Sequence, residues 1–128
     1  MKKEVKQSLI FYKDALKSLK QGASSVKDEL DKDGVIQRFE FTVELLWKTL
    51  KLFLEAEGIR CSTPRECLKS AYKIGWITDE EIFLNMIDDR NRLSHIYNKE
   101  ESEEVFKRIK KSYIKIFTKI SALLTKIK

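Results

Sequence analysis

The stretch VIQRFEFTVELLWKTLKLFLEAE, residues 35–57, decides the fold of this chain. It predicts a long helix, because its apolar residues recur at intervals of three and four and Gly58 is a typical C-terminal stop. A second apolar stripe lies on another side of the same helix, and a helix that is apolar on two sides is buried on two sides. The second side therefore meets either its own bundle or another subunit. The first stripe is Ile36, Phe39, Val43, Leu46, Leu50 and Phe53, and the second is Phe41, Leu45 and Leu52.

Further helices are predicted on both sides of this one. An amphipathic pattern covers about residues 4–21, and a connection follows over residues 22–34. Thr63-Pro64-Arg65-Glu66 is typical of a helix start, residues 78–81 repeat that signature, and a last helix begins among residues 100–104. Four glycines and one proline leave little room for the turns of a many-stranded sheet. The sequence predicts an all-α, antiparallel, up-and-down bundle of four to five helices, formed as a single domain by residues 1–128.

Composition narrows the class of protein. With 42% hydrophobic and 36% charged residues, the chain has the balance of a folded helical protein, and it contains no apolar run of membrane-spanning length. Cys61 and Cys67, with one histidine and no Cys-x-x-Cys, make a poor metal site, so neither a metal nor a cofactor is predicted. Two cysteines without an export signal predict reduced thiols and a cytoplasmic location.

Basic residues are concentrated at the end of the chain. The net charge is +6, and from Val105 onward there are eight Lys/Arg and no Asp/Glu. Such a helix could attract nucleic acid or an acidic partner. On charge alone, a solvated helix face is the favoured interpretation.

The best candidate for chemistry lies at the end of the fourth predicted helix. The apolar stripe of that helix reaches Arg90, so a cation stands where the period calls for an apolar residue. Arg90 offers a fork of donors that matches phosphate, Asn91 is a polar helper, and His95 can exchange protons near neutral pH. Tyr97 follows in a predicted loop. These groups suit metal-free cleavage of RNA, in which His95 acts as acid or base and Arg90 stabilises the developing phosphate charge.

A structural role explains the same residues. A histidine at a helix end is often a partner of the helix dipole. Arg90 could pair with Asp88, Asp89 or a glutamate of the second helix, such as Glu40 or Glu44. On residue types alone this structural interpretation is the favoured one.

Several segments resemble a known family. Arg90-x4-His95-x-Tyr97 resembles the Arg-x(4–6)-His motif of HEPN (higher eukaryotes and prokaryotes nucleotide-binding) domains, in the form found in bacterial HepT proteins. Residues 36–48, residues 63–66 and residues 88–97 also resemble nucleotidyltransferase substrate-binding proteins. The resemblance runs from the second helix through the last.

The resemblance implies a bundle similar to the helical domain of kanamycin nucleotidyltransferase. It implies a homodimer whose two Arg/His sites face one cleft, and a partner that is a small, separate minimal nucleotidyltransferase (MNT). In one known role, the helical protein is the nucleotide- or substrate-binding subunit of that transferase, and Arg90, Asn91, His95 and Tyr97 would bind nucleotide or RNA phosphate. In the other, it is an RNase toxin with Arg90 and His95 catalytic, and the transferase is an antitoxin that adenylylates Tyr97.

The binding subunit is the leading prediction, with the metal-independent RNase toxin as its first rival. A non-catalytic helical dimer or adaptor is the second rival. The chain has neither a Gly-rich phosphate loop nor paired aspartates of a polymerase-like site, so it is not predicted to be the transferase itself.

Overall fold

The computed structural model of this protein describes residues 2–93, 95 and 98–127. Within those residues it is a bundle of helices without a strand, which confirms the predicted all-α class. No described helix is both long and apolar enough to span a bilayer. The helices are α1 (Lys3–Ser24), α2 (Glu29–Ala56), α3 (Pro64–Lys73), α4 (Glu80–Leu93), α5 (Lys99–Arg108) and α6 (Ile114–Ile127), with a π-helical turn at Ile109–Tyr113 that joins α5 to α6.

The helices α1 and α2 run in opposite directions. The Ser8 and Thr49 hydroxyls are 2.6 Å apart near one end of α1 and α2, and Arg38 donates to the Ser18 carbonyl oxygen at 3.1 Å near the other. These contacts fix α1 and α2 as an antiparallel pair. The short α3 is inserted after α2, as predicted.

Aromatic side chains form the centre of the bundle. The Phe39 ring of α2 stacks on Tyr113 with centroids 5.5 Å apart, and Phe117 lies 6.2 Å from the same ring. The buried Tyr12 hydroxyl of α1 donates to the Phe117 carbonyl oxygen at 2.6 Å. The first apolar stripe of α2 is therefore the inner face of this bundle, where burying such side chains stabilises the fold.

The start of α2 differs from the prediction. The acidic stretch before Val35 is not a connection, because α2 begins at Glu29. The Asp28 carboxylate caps it by accepting the Asp31 amide proton at 2.9 Å, and acids in a first turn are favoured by the helix dipole. The prediction was wrong here because it treated Gly34 as a boundary, whereas Gly34 lies inside the helix.

The two cysteines are bonded to each other, so the prediction of reduced thiols was wrong for this structure. Cys61 and Cys67 form a disulfide, with Cα atoms 5.1 Å apart. Thr63 caps α3 and turns the chain back, since its hydroxyl accepts the Glu66 amide proton at 3.2 Å. This turn brings both sulfurs into a small apolar cluster with Leu54.

The second apolar stripe of α2 is only partly covered by its own bundle. Leu45 and Leu52 pack against the edge of the core, but Phe41 remains 60% exposed. Phe11 of α1, 50% exposed, and Leu45 join Phe41 in lining a groove of about 470 Å³ between α1 and α2. The outer side of α2 is therefore an apolar surface that this chain leaves open.

Candidate functional site

Arg90 is held in place from two directions. It lies in the last turn of α4, where its Nη2 donates to Glu44 Oε2 of α2 at 2.6 Å and its Nη1 donates to Asn91 Oδ1 at 3.3 Å. Lys48 Nζ lies 3.8 Å from the other Glu44 oxygen. The Arg90 side chain is 36% exposed, so an anion from solvent can reach it. Glu44 is one of the partners that the structural interpretation predicts for Arg90.

The buried charge of this turn is Asp89 and not Arg90. Asp89 is 4% exposed and follows Met86 by three residues, which places both on the inward face of α4. Arg90 was predicted on that face, but it lies at the edge of the bundle beside Glu44. The prediction chose Arg90 over Asp89 because both residues continue the apolar spacing, Asp89 three residues after Met86 and Arg90 three residues after Ile87.

Three side chains donate hydrogen bonds to the Asp89 carboxylate. Arg108 donates through Nε to Oδ2 at 2.8 Å and through Nη2 to Oδ1 at 3.0 Å. Arg92 Nη2 donates to Oδ1 at 2.7 Å, and the Tyr113 hydroxyl donates to Oδ2 at 2.5 Å. Arg108 directly precedes the π turn and Tyr113 is its last residue, so the turn fixes their relative positions. π turns often occur at functional sites. We call these four residues the Asp89 network.

Contacts within the Asp89 network change the pKa values of Asp89, Arg108 and Tyr113. Burial opposes ionisation of Asp89, but the hydrogen bonds from Arg108, Tyr113 and Arg92 together outweigh burial and hold the pKa of Asp89 below its usual value. Burial, reinforced by the bond to Asp89, raises the pKa of Tyr113 well above its usual value. The Asp89 hydrogen bond likewise raises the pKa of Arg108. At neutral pH the network therefore consists of one carboxylate, two guanidinium groups and a neutral phenol.

The remaining predicted site residues lie around the end of α4. Asn91 is exposed and adjoins Arg90. The helix ends at Leu93, so Asn91 and His95 do not share a continuous helical face, and the amide of His95 donates to the Arg92 carbonyl oxygen at 2.8 Å instead. His95 is exposed. Tyr97 lies outside the described residues.

A second carboxyl group lies near Arg90. Burial raises the pKa of Glu40, and the charge of Arg90 partly offsets that rise. The side of α2 that faces Arg90 is therefore acidic, with Glu44 in direct contact. An anion that binds Arg90 must replace Glu44 or share the guanidinium with it. The charge of Glu44 therefore lowers the affinity of Arg90 for anions.

Sequence reasoning missed Arg92, Arg108 and Tyr113 as members of one cluster. Two signals could have identified them. Asp89 is three residues from a core methionine, and Arg108 is the single arginine in a terminal region otherwise supplied with lysines. Arginine is preferred over lysine where a carboxylate is buried, because its planar fork matches the carboxylate.

The chain is similar to a protein family, to a bacterial relative and to a solved structure. A family model described as nucleotidyltransferase substrate binding protein like matches residues 7–126. A Haemophilus influenzae protein named "Probable ribonuclease HepT" is 32% identical over 81 residues, which cover 59% of this chain and just over half, 56%, of that protein. A crystal structure of a protein from Thermus thermophilus superposes with a TM-score of 0.80 at 31% identity, covering 85% of this chain and 94% of that one.

Proposed function

Because this chain belongs to the family of nucleotidyltransferase substrate-binding-like proteins, we propose that it is the phosphate-binding subunit of a two-component nucleotidyltransferase system. Its ligand is a nucleotide or an RNA strand, and its partner is a small, separate MNT-type transferase. Arg90, with Asn91, His95 and Tyr97, forms the binding site. The observation that carries this proposal is the partly exposed Arg90 guanidinium, which Glu44 and Asn91 hold in the last turn of α4. The exposed His95 follows two residues after that helix ends.

Arg90 is preorganised for a phosphate. An arginine that is already fixed by two neighbours loses less conformational entropy when a phosphate binds. Its fork suits phosphate oxygens. Binding of ATP and of a fluorescein-labelled oligouridylate in the presence of a chelator tests the proposal. If neither ligand binds the wild-type protein at low salt, the proposal is wrong.

The transferase partner and the modification are tested together. We expect the protein to co-purify with an MNT-type transferase when both are expressed. Adenylylation would join the Tyr97 oxygen to the α-phosphorus of ATP, with release of pyrophosphate and a proton. Intact mass before and after incubation with the transferase and ATP detects the added adenylyl group. A Tyr97→Phe variant that gains the same mass would exclude Tyr97 as the acceptor.

A second candidate function is metal-independent RNA cleavage. It is favoured by the relative named as a ribonuclease and by the exposure of His95, which leaves the ring accessible to a 2′-hydroxyl. If the chain is a nuclease, cleavage of RNA in chelator disappears in His95→Ala while the thermal unfolding temperature is unchanged. Binding without cleavage by unmodified protein would leave the binding subunit as the function.

We also propose that the protein is a homodimer formed through the groove between α1 and α2. A second copy fits because the open surface is apolar, with Phe41 60% exposed. Phe41 and Glu44 lie within one turn of α2, so a copy seated on Phe41 would lie beside the Glu44–Arg90 pair. The dimer would therefore adjoin the proposed site.

Substituting Phe41 tests this interface. Phe41→Asp is expected to weaken self-association by about 2 kcal/mol, because it replaces an aromatic anchor by a charge. Sedimentation velocity over a range of concentrations measures the change. The control is Leu30→Asp, which changes a 77% exposed leucine at the start of α2 outside the groove. A wild-type chain that stays monomeric at all concentrations, or equal weakening by both substitutions, contradicts this interface.

A further inference from the structure

A second concavity lies beside α4, away from Glu44. It has a volume of about 600 Å³, which is within the usual range for small-ligand sites. Arg92 lies ~200° around the helix axis from Arg90, so the two arginines face different sides of α4. The residues that line the concavity are Asn85, Asp88, Asp89, Asn91, Arg92 and Arg108.

Asp89 positions both arginines of this concavity. Its carboxylate accepts from Arg92 and twice from Arg108, while the side chains of Arg92 and Arg108 remain 55% and 37% exposed. One buried carboxylate can neutralise only one of them. Each guanidinium also carries N–H donors beyond those given to Asp89, since its fork holds several.

The other carboxylate of the concavity is paired. Asp88 Oδ1 lies 2.6 Å from Arg65 Nη2 of α3. Arg65, outside the concavity, thus neutralises Asp88, and Arg92 and Arg108 share the single negative charge of Asp89. The local balance is cationic, with fixed donors, so the concavity suits an anion better than a cation.

We propose that Arg92 and Arg108, braced by Asp89, form a second phosphate-binding subsite, whose ligand is the phosphate of an RNA strand or of a nucleotide. A planar fork held by a buried carboxylate is preorganised for phosphate oxygens and loses little entropy on binding. Arg108 belongs to the basic end of the chain, for which charge alone favoured a solvated helix face. The subsite would give this one basic residue a role in binding an anion.

This subsite deepens the proposed function but stands on different residues. Asn91 connects the two sites, because it lines the concavity and its Oδ1 accepts from Arg90 Nη1. Two cationic positions on either side of one helix end suit a strand with successive phosphates. RNA would then be favoured over a mononucleotide.

The test measures binding of a labelled oligouridylate and of ATP, in chelator, as a function of salt. We expect Arg92→Met to weaken RNA binding about tenfold, the lower end of the range for one lost charge-assisted hydrogen bond. It should also make the slope of log affinity against log salt shallower by about 0.7, the value for one phosphate contact on a single strand. Lys115→Met, which removes one charge from an exposed position of α6, is the control. Arg108→Lys keeps the charge but removes the fork, and thermal unfolding checks that each variant folds.

Each outcome decides the question. If Arg92→Met weakens binding more than the control does, the result supports the subsite. Whether binding of RNA, of ATP or of both is weakened identifies the source of the phosphate. Equal affinities and slopes for Arg92→Met and Lys115→Met overturn the subsite, whatever Arg90→Met does. If Arg92→Met weakens binding and Arg90→Met does not, the subsite stands and the proposed Arg90 site fails.

Discussion

Asp89→Asn is expected to destabilise the protein by about 1.5–3 kcal/mol, the range for lost hydrogen bonds to a buried charged group. The substitution preserves the shape of the side chain but leaves two guanidinium groups and a phenol against a neutral amide. Asp89 is 4% exposed, so water cannot replace the lost charge. Because a domain of this size is stable by only about 5–15 kcal/mol, the urea midpoint followed by circular dichroism should fall clearly.

The neighbouring residue provides the control. Asp88 also pairs with an arginine, Arg65, but both side chains are about half exposed, at 53% and 48%. Asp88→Asn should therefore cost only about 0–1 kcal/mol, as surface ion pairs do. If the two variants lose the same stability, the Asp89 network does not contribute as argued.

The contribution of Asp89 to the stability of the protein depends on pH in a definite direction. The pKa of Asp89 is held below its usual value in the folded protein, whereas the carboxyl of an unfolded chain titrates near ~3.9. Folding therefore favours the ionised form, and the contribution is fully present above the unfolded pKa and is lost as pH falls through the folded pKa. The stability difference between wild type and Asp89→Asn should be constant near neutral pH and should shrink only in acid below about pH 4.

Arg90→Met is expected to lower affinity for the oligouridylate by about 1.5–3 kcal/mol, or roughly 10- to 150-fold, the range for hydrogen bonds to a charged group. Methionine keeps an unbranched side chain but offers no donor and no charge. Fluorescence anisotropy at low salt measures the change. An unchanged affinity in a correctly folded variant would show that Arg90 does not bind the ligand.

Glu44 gives a sharper version of this experiment, because its effect has the opposite sign. Glu44 Oε2 accepts from Arg90 Nη2 at 2.6 Å, and its negative charge competes with a phosphate for the guanidinium. Glu44→Gln should strengthen binding, because it removes that charge while the amide oxygen of glutamine can still hold Arg90 in place. The pair is partly exposed and worth about 1 kcal/mol at most, which limits the gain to about fivefold. Glu55→Gln, at an exposed position later in α2, makes the same change in net charge and serves as the control.

The double variant separates a local effect from a general one. If Glu44 acts through Arg90, Glu44→Gln should have no effect in an Arg90→Met background. A gain that persists in that background would mean that Glu44 only repels the ligand through its charge. Equal gains from Glu44→Gln and Glu55→Gln would lead to the same conclusion.

The sequence by itself determined the helical class, the order of the helices and the inner face of α2. These follow from apolar spacing and from local signals such as Thr63-Pro64, whose effects act within a few residues. It also identified Arg90, Asn91 and His95 as candidates and Glu44 as a possible partner of Arg90. Acidic residues around Gly34 resemble a connection locally, but the Asp28 cap and the packing of Val35 and Ile36 against the bundle extend the helix through them.

Only the tertiary structure decided which charge of α4 is buried and what accompanies it. Asp89 and Arg90 are adjacent, and a period of 3.6 residues cannot choose between them. The choice depends on Arg108 and Tyr113, which are distant in sequence and are brought to Asp89 by the π turn. Pairing of a buried charge is a contact between helices, and no single helix contains the information for it.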